Sequence, residues 1–141
     1  MLVDALIGSF LLVLGSLAYF SLVPVIMRGQ EISKSQTKAI HMSNRIIEHL
    51  LLLKPSSLTA ANLTQLALID AGQTAPPYSI SNFPLDDGWN YSPAKTLPGG
   101  AGVMRITDLG SNTKLVQIEI SWDGPKGRLT YTTGTAIGGY R

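Results

Sequence analysis

Asp4 is the single charged side chain within the opening run MLVDALIGSFLLVLGSLAYFSLVPVIM. Between Ala5 and Met27 nothing is ionised at neutral pH. A carboxylate carried into a bilayer with such a run costs on the order of 2.5–3.5 kcal/mol, so it needs a positive partner. The α-amino group of Met1 is the nearest one, and Met1 with Asp4 forms a candidate amine–carboxylate pair, within one chain or between two. Other groups able to do chemistry are scattered. His41 and His49 would stand about 80° apart on a helix, too few ligands for a metal. Asp86-Asp87-Gly88 lacks the spaced oxygen ligands and closing glutamate of a calcium loop and reads as a turn. Asn62-Leu63-Thr64 fits the glycosylation acceptor pattern, which makes Asn62 a candidate modification site. Serine, histidine and aspartate are all present, but no nucleophile-elbow spacing links them. The chain has no cysteine, which excludes disulfides, thiolate metal sites and a cysteine nucleophile. We therefore expect no enzyme, no catalytic residue, no metal and no cofactor.

The element that must hold Asp4 is a helix. At about 1.5 Å per residue, residues 5–27 would reach roughly 35 Å, against about 30 Å of hydrocarbon in a bilayer. A cleaved secretory signal would start with basic residues, carry a shorter apolar core and end in a small-residue cleavage site, and this run does none of these. The helical pattern then continues. Ile32, Ala39, Ile40, Ser43, Ile46, Ile47 and Leu50 recur every three to four residues, with Glu31, Lys34, Lys38, Arg45 and Glu48 mostly between them. One long helix over 1–54 is expected, apolar all round in 1–27 and one-faced in 28–54. Pro55 should close it. Gly15 and Pro24 mark where the apolar half should kink or melt, because proline removes a backbone donor. Gly8, Ser9, Gly15 and Ser16 would let another helix approach closely.

Residues 55–102 should hold a short helix, capped near Ser56-Ser57 and ending near Gly72, then a Pro- and Gly-rich loop with a strand over 78–83. Trp89, Tyr91 and Tyr78 are candidates for a surface aromatic patch or for anchoring this loop to a sheet. Residues 103–141 alternate with period two. Met104, Ile106 and Leu109, then Val116, Ile118, Ile120 and Trp122, then Leu129, Tyr131 and Thr133 would line one face. Gly110-Ser111-Asn112 and Asp123-Gly124-Pro125-Lys126-Gly127 are turn chemistry, so a three-stranded antiparallel meander is predicted. The amphipathic half of the long helix is its natural cover. The fold class is α+β. Over the 141 residues, charged side chains make up 14% and the net charge is only +2, with Lys and Arg dispersed. Without a basic stripe, no specific nucleic acid is expected as a partner.

Leu2-Val3-Asp4-Ala5-Leu6-Ile7, followed by the long apolar-then-amphipathic helix and the antiparallel C-terminal sheet, resembles the type IV pilin and type II secretion pseudopilin superfamily. Leu97-Pro98-Gly99-Gly100, the strand from Val116 to Trp122 and the Gly127-Arg128 turn are similar to the minor-pilin (pilus-modification) and minor-pseudopilin branch. Asp4 departs from the family pattern in being aspartate rather than glutamate and in standing one place nearer the start. The basic leader ending in Gly does not precede Met1, so the resemblance implies a processed or truncated form.

The resemblance implies a pilin-like fold and a structural subunit of an extracellular filament. The subunit waits in the inner membrane and then joins a helical homo-oligomer, with Leu6, Ile7, Phe10, Leu11, Leu14, Leu17 and Phe20 in the filament core. A prepilin peptidase that cuts and methylates the N-terminus, and an inner-membrane assembly platform, are the implied partners. A minor subunit, or a pseudopilin of a secretion or DNA-uptake pseudopilus, is the alternative within the family. Outside it stands a single-pass anchor presenting a small β-rich binding module that never polymerises. Arg28, Lys34 and Lys38 just after the apolar run bear on that choice, since basic flanks usually stay in the cytoplasm.

Overall fold

The fold comes from a computed structural model that describes residues 2–85 and 91–139. The chain divides into two compact units, Met1–Lys34 and Ser35–Arg141. A single helix, α1 (Leu2–Leu51), runs through both. In the first unit its large apolar side chains are exposed on every side, from Leu2 to Met27. The helix is continuous through Gly15 and Pro24, so melting at Pro24 is not a property of the isolated chain.

In the second unit the helix becomes one-faced. Ala39, Met42, Ser43, Ile46 and Leu50 are buried, while Ile40 and Ile47 are half-buried on the flanks. Ser43 is tolerated there because its hydroxyl donates to the Ala39 carbonyl at 2.9 Å. These side chains share one core with Val116, Ile118, Ile120 and Trp122 of the sheet, so the expected cover of the meander is the observed one.

The sheet has four antiparallel strands in the order β1-β2-β3-β4: β1 (Tyr78–Ser79), β2 (Ala101–Gly110), β3 (Thr113–Gly124) and β4 (Gly127–Gly138). The expected meander gains β1 as a fourth strand, two residues long instead of the six expected over 78–83. The cause lies in competing acceptors. The backbone N–H groups of Ser81 and Asn82 donate to the Asp70 carboxylate, each at 3.1 Å, and Phe83 takes a φ of 34°, so the chain turns out of the ladder.

The short helix is also displaced from its expected ends. A 3-10 turn (Pro55–Ser57) precedes α2 (Ala60–Gln65), whose cap is Thr59 rather than Ser56 or Ser57. It stops well before Gly72. Ala67 adopts φ 57°, with Ala67 N–H donating to Thr64 and Leu68 N–H to Leu63, the hydrogen-bond pair of a Schellman end. That exit drops Leu68 and Ile69 together into the core. A further short helix, α3 (Pro93–Thr96), went unanticipated.

Both hairpin connections are two-residue loops. Ser111 and Asn112 both have positive φ, as the first requires, and Gly110 pairs with Thr113 across it. Leu109 is exposed rather than on the core face, because it is out of phase with the inward-facing Met104 and Ile106, and the register also shifts between Asp108 and Gly110.

Candidate functional site

The apolar half of α1 is the surface most in need of a partner. By length and composition it can cross a membrane, and none of its most apolar window is covered by the rest of the chain. Leu6, Ile7, Phe10, Leu11, Leu14, Leu17 and Phe20, the expected core positions, are all exposed. Val3, Leu6, Ile7 and Phe10 line a shallow apolar groove along one face, spaced i, i+3, i+4 and i+7.

Neither Gly8 nor Gly15 meets any other part of the chain, since a Cβ added at either would find no atom within 4 Å. Nothing inside the subunit demands glycine at these positions. Ser9 and Ser16 donate their hydroxyls back to the carbonyls of Leu6 and Leu12, at 2.9 and 2.8 Å. They thus present a nearly apolar surface to whatever lies beside them.

Asp4 lies in the first turn of α1, where a carboxylate also complements the positive end of the helix dipole. Its expected partner Met1 lies outside the described residues, and so do Asp86, Asp87, Gly88 and Trp89. Tyr78 is buried in the core and Tyr91 packs half-buried against it, so Tyr78 anchors the loop rather than joining a surface patch.

His41 and His49 come together on one side of α1, lining a groove of about 570 Å³ with Asn44, Arg45, Glu48 and Tyr91. Among the described residues no group of three or more His, Cys, Asp or Glu side chains is placed to hold a metal ion. Asn62 is exposed at the surface of α2, and its side-chain amide donates to the Ser57 carbonyl at 3.3 Å, which engages the nitrogen that a sugar would take.

Sequence reasoning missed the brace around Asp70. Its carboxylate accepts the Ser79 hydroxyl at 2.5 Å as well as two backbone N–H groups, and the Gln73 side chain bonds the backbone of Asp70 and Ser79. Asp70 falls within the stretch expected to be helical up to Gly72 and Gln73 just beyond it, and no local signal marked either as a brace. The Leu97-Pro98-Gly99-Gly100 turn is better explained by sterics. Gly99 has φ 56°, and a Cβ on Gly100 would stand 2.0 Å from the Pro93 carbonyl oxygen. The Pro98 carbonyl then accepts from Asp123 N–H at 2.8 Å, tying this turn to the end of β3.

No protein-family model matches this chain, and neither a curated protein nor a solved structure matches it.

Proposed function

We propose that this chain is a structural subunit of a type IV pilus-like filament, polymerising through the apolar half of α1. The observation that carries the reading is the division of labour along that helix. Among the described residues, the hydrophobic core of the second unit begins at Ala39 and includes none from the apolar half. The exposed leucines, valines and phenylalanines before it therefore serve something outside the subunit.

Two solvents would satisfy them in turn. In the bilayer they meet lipid; in a filament they meet the same surface of other copies. Measured from water, each large side chain so buried is worth about 1.5–3 kcal/mol. Measured from lipid the gain is small, because lipid tails are as apolar as leucine. Assembly from the membrane therefore needs packing, polar pairing and driven extraction, roles met here by the bare backbone at Gly8 and Gly15, by the Met1–Asp4 pair and by an inner-membrane platform. The chain is processed by a prepilin peptidase before assembly and ends in an extracellular filament. A minor subunit or a pseudopilin would use the same surface in the same way.

Arg28, Lys34 and Lys38 favour a second reading, a non-polymerising single-pass anchor with its β-rich unit on the cytoplasmic side. Shearing cells and collecting fibres separates the two. The filament reading expects fibres about 5–9 nm wide, one helix-bundle core plus a β layer, that contain this chain with a methylated amine at Met1. The anchor reading expects the chain only in detergent-extracted membranes.

A further inference from the structure

The sheet ends on one side in β4, a strand with features that proteins usually remove from an edge. Its register against β3 is unbroken from Thr113↔Gly138 to Gly124↔Gly127, with no bulge. From Leu129 to Gly138 it carries neither proline nor charge, in a run of Thr, Tyr, Ile and Leu suited to strands. No strand covers its outer side among the described residues. Edges are normally blunted by lysine, proline, bulges or brevity, and a long bare edge presents a row of N–H and C=O groups to another strand.

A matching vacancy exists at the other side of the same sheet. β1 pairs with Val103 and Met104, and among the described residues no strand pairs with the outer edge of β2 from Arg105 to Gly110. The two edges share a level: Thr107 lies opposite Leu115, and Leu115 opposite Ala136. Leu109 is 57% exposed beside the β2–β3 turn. Next to the end of β4, Leu51, Leu53, Ala136, Ile137, Gly138 and Gly139 line a groove of about 360 Å³ whose walls mix apolar side chains with exposed backbone. Main-chain pairing with an adjacent side-chain pocket is the usual form of strand addition.

We infer that the outer edge of β4 docks the open edge of β2 on a second copy of this chain. The inference rests on the filament reading for its direction. Copies in a polar filament point the same way, so a two-fold β4–β4 contact is excluded. Since β2 and β4 run in the same sense within the sheet, the contact is parallel and head-to-tail, the kind that propagates without closing.

Engineered disulfides test this on the whole chain, which has no cysteine of its own. Thr107→Cys would be paired in turn with Thr130→Cys, Thr132→Cys and Ala136→Cys, all exposed positions on the same sheet face, to cover the axial offsets. Within one copy β2 and β4 are two strand spacings apart, about 9.6 Å, beyond the roughly 7 Å limit of a disulfide. Any bond must therefore join copies. Under mild oxidation at least one pair should give a ladder of dimers, trimers and longer chains, absent from each single variant. A ladder on membranes in the absence of fibres would keep this contact and remove the filament. Fibres in which no pair gives a ladder would overturn the contact and leave the filament standing. Dimers from Ala136→Cys alone, with nothing longer, would overturn it in favour of a two-fold contact.

Discussion

Asp4 is asked to do two things, and their magnitudes differ. In the first turn of α1 it stabilises the positive end of the helix by about 0.3–1 kcal/mol. In a filament core it would neutralise a buried amine, and removing one member of a buried charge pair costs about 3–5 kcal/mol. The second effect dominates. Asp4→Ala should therefore still insert in membranes, since an acid has been taken from the apolar run, while the yield of sheared fibres falls by about a hundredfold or more. Quantitative immunoblots of membrane and fibre fractions would check it, and a wild-type fibre yield would remove Asp4 from assembly. Asp4 was conspicuous because a lone charge beside an apolar run stands out. Asp70 was not, because its role depends on backbone N–H groups of Ser81 and Asn82 that only the fold brings to it.

Among the elements, the long ones were readable and the short ones were not. Over α1 and the β3–β4 hairpin the apolar period repeats often enough to fix both type and face. Met42 alone was overlooked on the buried stripe, masked by its position between His41 and Ser43. Short elements are decided by single hydrogen bonds. Gly72 looked like the end of α2 and does take a positive φ, but Ala67 ends the helix five residues earlier, held at φ 57° by the bonds from Ala67 and Leu68. A non-glycine residue in that region costs about 1–2 kcal/mol. Ala67→Gly should therefore stabilise the second unit, by about 0.5–1 kcal/mol once the greater freedom of glycine in the unfolded chain is subtracted. The measurement is a thermal or denaturant midpoint of the full chain in detergent, and a lower midpoint would contradict this reading of the α2 end.

At the scale of the molecule, one helix has two halves with different surroundings. From Ala39 to Leu50 it closes the core of its own subunit against β3, and among the described residues none of the apolar half joins that core. The α+β class and the helix-on-sheet packing were legible because both follow from hydrophobic period alone. The occupant of the apolar half was not, because lipid and a second apolar helix make the same demand on a side chain. A photo-crosslinker placed at Phe10, in the intact chain, distinguishes them directly. In sheared fibres it should capture residues 2–27 of another copy, and in the membrane fraction lipid. Capture of lipid alone in every fraction that contains the chain would contradict a shared helical core.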